Sequence, residues 1–315
     1  MANIRTRLEQ LLAQRILVLD GAMGTMIQRH KLTEEDFRGE RFTSHPRDLR
    51  GNNDMLVLTR PDIILAIHEE YLQAGSDIIE TNSFSGTTIA QADYQFEPLV
   101  YELNFEAAKL ARQAVDKWST PDKPRFVAGA IGPTNKTLSI SPDVNDPAFR
   151  AITFDQMKAA FAEQTRALID GGADVLLIET IIDTLSAKAA LVAAAEVDPE
   201  GRVPLILSAT ITDRSGRMLA GQTIDAFWVS IAHAKPLIVG MKVPPNYGPT
   251  YARTFDALFV DVAKAHRTPV VPYVFEGFGE DLALFQGDRI HPTAAAQTRI
   301  LDNVWPVLVP LLARK

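Results

Sequence analysis

Two periodicities alternate along the chain. Short, nearly continuous apolar runs occur as ILVLD (16–20), SDIIETN (76–82), RFVAGAIGP (125–133), DVLLIET (174–180), PLILSATIT (204–212) and PLIVGM (236–241). Runs of this length and texture read as strands covered on both faces. Between them the period changes to that of a helix. In RPDIILAIHEEYLQAG, Ile63, Ile64, Ile67 and Tyr71 share one face and Gly75 supplies a stop. The same reasoning predicts helices over Val100–Lys117, Phe154–Asp170, Thr184–Glu196 and Thr223–Ala234, with a loop-rich insertion over roughly residues 30–60. Strands alternating with helices specify an α/β class with a parallel sheet. Six or more such units fit a TIM-type β/α barrel, and a doubly wound open sheet is the alternative. Polar residues favour the barrel. Asp20, Glu80, Asn82, Glu179, Thr210 and Thr212 fall at the C-terminal ends of the strands, where barrels carry their sites.

The texture changes after Met241. Pro244-Pro245-Asn246-Tyr247-Gly248 is rich in turn residues. The next segment spaces Phe255, Leu258, Phe259 and Val262 as a helix face. PVVPYVF (269–275) is a seventh strand candidate, placed by a helical crossover beside the sixth. A closing helix begins at Thr293 and is interrupted or ended near Pro306 and Pro310. No eighth strand follows. The expected barrel is therefore incomplete: six β/α units over residues 1–240, with residues 241–315 completing or capping it.

Composition narrows the partners. The chain has 315 residues, 46% hydrophobic and 23% charged, with a net charge of −7. That balance suits a globular protein and argues against nucleic acid as a partner. No apolar run reaches membrane-spanning length, and the charged start MANIRTRLEQLLAQR has no signal-peptide core. A cytoplasmic location is expected. There are no cysteines, which excludes thiol nucleophiles and thiolate metal sites made by this chain.

The strand-end acids and the glycine-containing turn after the first strand suit an amino-acid zwitterion. Acids would take the ammonium group, and backbone N–H groups of Gly21–Thr25 the carboxylate. The alternative is that these acids cap helices or pair with nearby cations. The literal motifs carry more. ILVLDGAMGTMIQ, DFRGERF, GNNDMLVLTRPDII, AGSDIIETNSFSGTTIAQADY, GPTNKTLSISPDVNDPAFR, GGADVLLIET and ATITDRSGRMLAGQT resemble the homocysteine-binding domain of cobalamin-dependent methionine synthase over about residues 4–240. The resemblance implies a TIM-type barrel that binds L-homocysteine and zinc in methionine biosynthesis. It implies that Asp20 and Glu179 hold the substrate amino group and that Gly21, Ala22, Met23, Gly24 and Thr25 hold its carboxylate. Glu80 lies near the same pocket.

That family activates the homocysteine thiol on a zinc ion held by three cysteines. The first cysteine position is occupied here by Val243, in Gly240-Met241-Lys242-Val243, and the Gly-Gly-Cys-Cys-Gly motif of the other two is absent. None of His30, His45, His68, His233, His266 and His291 forms a pair with ligand spacing, and His68 reads as a solvated or packed helix position. The expectation is a homocysteine S-methyltransferase by family that is inactive in methyl transfer. The family's methylcobalamin and methyltetrahydrofolate would reach it only through a separate cobalamin- or folate-binding protein.

The tail has a second resemblance. GMKVPPNYGPTYARTFDALF, PVVPYVFEGF and GDRIHPTAAAQTRILDNVWPVLVPLL are similar to the C-terminal part of SGNH-family arylesterases and lysophospholipases. By that resemblance Asp288 and His291 are the acid and base of a hydrolase triad. The serine of a Gly-Asp-Ser block is missing, and Gly51-Asn52-Asn53-Asp54 belongs to the methionine-synthase likeness. The reading set against the triad is an orphaned pair at a loop–helix junction.

Overall fold

The apolar runs near residues 78, 128, 178 and 207 pair into one parallel sheet. The computed structural model of the chain describes residues 4–12, 15, 17–211, 216–234, 238–239, 257, 259–265, 267, 269–285 and 293–312. These fall into two compact units. One comprises Asn3–Arg5 and Val18–Ala209; the other comprises Met1–Ala2, Thr6–Leu17 and Thr210–Lys315.

In the first unit β1 (Ile78–Glu80), β2 (Phe126–Ile131), β3 (Val175–Ile181) and β4 (Leu205–Ala209) lie side by side in chain order, all parallel. Successive β–α–β crossovers produce that order. The predicted first strand is shorter than its apolar run suggests. Leu19 bridges Ile78, and Asp20 N donates to Ile78 O at 3.0 Å. The adjoining place in the ladder is taken by a side chain: Val18 N donates to Asp77 Oδ2 at 3.0 Å.

All six residues of β2 are buried. At Gly129 a Cβ would stand 3.2 Å from the Leu168 side chain and 3.3 Å from Ala173 Cβ. The glycine thus lets helix Phe154–Asp170 approach the sheet closely. That helix has both predicted ends: Thr153 and Gln156 form a reciprocal capping box at its start, and Gly171 caps its end. Helix Val100–Trp118 buries Ala107, Ala108, Ala111 and Ala114, small residues that allow similarly close packing.

The loop-rich insertion has more structure than its composition suggests. It carries short helices at Glu34–Arg38 and Leu56–Thr59. Its Phe37, Leu49, Met55 and Leu56 are buried with Ile63, Ile64, Ile67, Phe96 and Leu103 in one cluster. Full burial of such side chains stabilises the fold by about 1.5–3 kcal/mol each, so this segment forms part of the core.

In the second unit β5 (Ile238–Val239) and β6 (Val270–Val271) pair in parallel, with Ile238 opposite Val270 and Val239 opposite Val271. This is the adjacency expected for the sixth and seventh strands. Among the described residues the seventh contributes Val270 and Val271 to the ladder, and Pro272, which lacks an N–H to extend it, follows at once. The helical stretch at 259–265 brings Phe259 and Val262 against Ile211, Ile224 and Trp228. The closing helix runs from Gln297 to Leu312 and passes through Pro306 and Pro310 rather than stopping there. Interior proline costs about 3 kcal/mol. Tertiary contacts offset it: Asn303 Nδ2 donates to Val274 O at 3.0 Å and Glu276 O at 2.9 Å, and Ile300 and Val304 pack with Phe278 and Phe285. Thr212, Val243, Phe255, Leu258, Asp288, His291 and residues 240–241, between the two resemblances, lie outside the described residues.

Candidate functional site

Three carboxylates named from the sequence come together in the first unit. Asp20 follows the bridged residue Leu19, Glu80 ends β1, and Glu179 lies in β3. Asp20 Oδ1 accepts a 2.8 Å hydrogen bond from Glu80 N, which locks the two segments together at the C-terminal end of the sheet. The acids repel one another. Burial, then Glu80, raises Asp20 well above the usual carboxylate range, and Glu179 adds to the effect. Burial, then Glu179, pushes Glu80 up to about 8. Burial raises Glu179, opposed by the Thr180 hydroxyl. Desolvation and like charge act in the same direction here. A proton or a cation placed among the three acids relieves both effects.

Backbone geometry aims Glu179. The β3–β4 register shifts between Ile178 and Ile181, and Thr180 has φ 51°. A bulge of this kind redirects a side chain, and a β-branched residue at positive φ is strained. Four residues on, Asp183 does something different. Its carboxylate accepts from Leu138 N at 2.8 Å, Ser139 N at 3.1 Å, Leu185 N at 3.0 Å, Ser186 Oγ at 2.9 Å and the Ser139 hydroxyl. It caps helix Thr184–Val197 and pins the segment after β2. Burial opposes ionisation at Asp183, but these donors win and its pKa is lowered. A cavity of about 20 Å³, room for about one water, lies between Gly132, Pro133, Lys136, Ile178, Glu179 and Asp183.

The turn after Asp20 leads straight into a short helix. Ala22 sits at φ 54°, ψ 34°, and helix Met23–Gln28 starts directly after it. The first amides of such a helix, through Thr25, have no intrahelical acceptor. Gly21 has open space where a Cβ would project, and Gly24 lies beside the Asn53 side chain.

Two features escape the sequence reading. Periodicity places Tyr71 on an apolar helix face. Burial, then the charges of Asp20 and Glu80, pushes its hydroxyl up to about 12, so it stays protonated beside the acids. Periodicity alone carries no signal of this. The second feature is the polar packing around GNND and ETNSF. Asn52 and Gln91 exchange amide bonds of 2.7 and 3.1 Å, Asn82 Nδ2 donates to Asn53 O at 2.7 Å, and Ser85 N donates to Asp54 Oδ1 at 3.1 Å. Burial raises Asp54 to about 6. These motifs tie the insertion to the strand ends.

The donor set does not fit a zinc–thiolate centre. The chain has no cysteine. Among the described residues no group of three or more His, Asp or Glu side chains is arranged to hold a metal ion. His68 lies on the packed side of helix Pro61–Ala74, fully buried, with both ring nitrogens unpartnered. Burial lowers it to about 4 and keeps it neutral. No described helix is long and apolar enough to cross a membrane.

A parallel β/α sheet with acids at the C-terminal ends of its strands is the arrangement in which TIM-barrel-like and other β/α folds carry their sites. Residues 17–271 match the homocysteine S-methyltransferase family, and the chain belongs to that family. The match runs past residue 241, where the second resemblance begins. Solved structures of the homocysteine methyltransferase MmuM from Escherichia coli share the fold. The metallated form has a TM-score of 0.60 at 20% identity, covering 85% of this chain and 85% of that one. The oxidized form has a TM-score of 0.60 at 20% identity, covering 86% and 85%. For the apo form the score is 0.52 at 20% identity, covering 82% and 81%.

Proposed function

We propose that this chain binds L-homocysteine in the amino-acid half of a methionine-synthase-type site and leaves its sulfur unactivated. The observation that carries this reading is the convergence of Asp20, Glu80 and Glu179, each raised by burial and the latter two acting on Asp20 by repulsion. An ammonium group placed there relieves desolvation and repulsion together. Asp20 and Glu179 take the ammonium group, Glu80 adds its charge, and amides of Gly21–Thr25 take the substrate carboxylate.

Methyl transfer needs the homocysteine thiol as a thiolate. The thiol is a weak nucleophile at neutral pH, and a zinc ion held by thiolates removes its proton when bound. The 315 residues supply none of those sulfur ligands. A methyl group from methylcobalamin or methyltetrahydrofolate would be delivered by a cobalamin- or folate-binding module outside these 315 residues.

Isothermal titration with L-homocysteine, with and without zinc(II), tests this. The expected result is binding that zinc changes less than about twofold and that Asp20→Asn or Glu179→Gln weakens about tenfold or more. Metal analysis is expected to find well under one zinc per chain, and supplied methylcobalamin should yield no methionine. One tightly held zinc per chain, or binding that requires zinc, overturns the proposal.

The second reading rests on the GDRIHP run. In it residues 241–315 derive from an SGNH hydrolase joined to a methyltransferase portion over 1–240. Asp288 and His291 then keep the acid and base of a triad without its serine. Short aryl esters are expected to be hydrolysed no faster than by a His291→Ala variant; a clear excess would restore the esterase reading.

A further inference from the structure

The β1–β2 ladder ends where Glu80 stands opposite Ala128. Thr81 N makes one more backbone bond, to Ala128 O at 2.9 Å. Beyond that, side chains continue the ladder. Ala130 N donates to Thr81 Oγ1 at 2.9 Å, Thr81 Oγ1 and Ser83 Oγ lie 2.6 Å apart, and Ser83 Oγ donates to Ala130 O at 2.8 Å. The proton positions follow from chemistry. A carbonyl oxygen only accepts, so the Ser83 proton points to Ala130 O. Thr81 must therefore donate to Ser83. The result is a closed circuit that starts and ends on Ala130, with each hydroxyl donating once and accepting once. Gln164 braces it from helix Phe154–Asp170, donating through Nε2 to Ser83 O at 2.8 Å and Ala130 O at 3.4 Å. Thr81, Ser83 and Gln164 are all buried, so a broken link leaves polar groups that water does not reach.

We infer that Thr81 and Ser83, braced by Gln164, are positioning residues that hold Glu80 inside the carboxylate cluster. Glu80 is the residue next to Thr81, and its own N–H is already committed to Asp20. The circuit anchors the chain on its far side. With both sides held, the Glu80 side chain has little choice but to face Asp20 and Glu179. Glu179 raises Glu80, and Glu80 in turn raises Asp20 and Tyr71, so these three are the ionisable groups coupled to it. The inference rests on the reading of Glu80 as part of the amino-acid pocket, and the test separates the two.

The primary readout needs no ligand. Titrating the Glu80 carboxyl carbon by NMR in the full chain reports how strongly the cluster acts on it. Thr81→Val keeps the shape and deletes the circuit's central hydroxyl. It is expected to move the Glu80 midpoint by about one pH unit toward the ordinary glutamate value. Thr81→Ser keeps the hydroxyl and should leave the midpoint in place. If Thr81→Val does not fold, Ser83→Ala breaks the same circuit and carries the same expectation. An unmoved midpoint in folded Thr81→Val or Ser83→Ala overturns the inference. L-homocysteine titration then adds a second readout, with an expected loss of about tenfold in Thr81→Val and rescue in Thr81→Ser. If Glu80→Gln leaves homocysteine binding unchanged, the pocket reading fails, whereas the NMR midpoint still decides the positioning role.

Discussion

Glu179 and Asp183 lie four residues apart, at the end of one strand and the start of the next helix, and their environments are opposite. Asp183 accepts five hydrogen bonds and its pKa is lowered despite burial. Glu179 is opposed in its burial only by the Thr180 hydroxyl, and its pKa is raised. A carboxylate saturated with protein donors has no capacity left for a ligand, and its role is structural. A carboxylate desolvated beside other acids is held ready for something the chain does not itself supply. The contrast separates scaffold from site within one turn of the backbone.

The comparison is broken most severely at Asp183. Asp183→Ala strands five donors and uncaps helix Thr184–Val197, and should cost about 3 kcal/mol in urea unfolding. A loss comparable to that of a surface acid would refute its structural role.

Next comes pH, where the two kinds of acid have opposite signs. Asp183 has a lowered folded pKa. Its stabilisation is present above the unfolded carboxylate value and is lost as pH falls through the folded one. Glu80 is raised to about 8, so the folded state holds a proton that the unfolded chain releases. Stability from Glu80 is present below the ordinary glutamate value of about 4.3 and disappears as pH rises to about 8. Urea midpoints measured from pH 5 to 8 should fall, by about 2 kcal/mol in total after allowing for solvent screening. Glu80→Gln should flatten the fall, and saturating homocysteine should reverse part of it. A rise with pH over that window contradicts the burial and repulsion assigned to the cluster.

His68 sharpens the contrast as a buried ionisable group with neither ring-nitrogen partners nor a ligand role. His68→Leu should stabilise the fold by about 1 kcal/mol, because it removes polar atoms that burial leaves unpaired. The smallest effect is expected at Glu179 itself. Glu179→Gln should change thermal stability by no more than about 0.5 kcal/mol while weakening homocysteine binding, the signature of a residue kept for a ligand rather than for the fold.

How much of this was legible varied by residue. Helix Phe154–Asp170 was readable to both ends, because the signals are local: Thr153 and Gln156 cap its start and Gly171 follows its last residue. Asp20, Glu80 and Glu179 were identifiable because strand ends follow from apolar runs, and polar residues stand out against them. The core role of Phe37, Leu49, Met55 and Leu56 was not legible, since a loop has no period to reveal which side is buried. Nor was the passage of the closing helix through Pro306 and Pro310. Local propensity argues for a stop there, and the compensating Asn303 contacts come from residues 27 and 29 positions away. The donors that distinguish Asp183 from Glu179 lie mostly 44 and 45 positions upstream, at Leu138 and Ser139.

The sequence by itself determined the alternation of strands and helices, the family, the identity of the acids and the absence of every cysteine. All of these are properties of local pattern or composition. Tertiary structure alone decided which acids act on one another, which one is saturated, which tyrosine stays protonated beside them and how two hydroxyls close a circuit beyond Glu80. Ionisation and hydrogen-bond direction depend on distance and desolvation. Those quantities exist only once segments remote in the chain have been packed together.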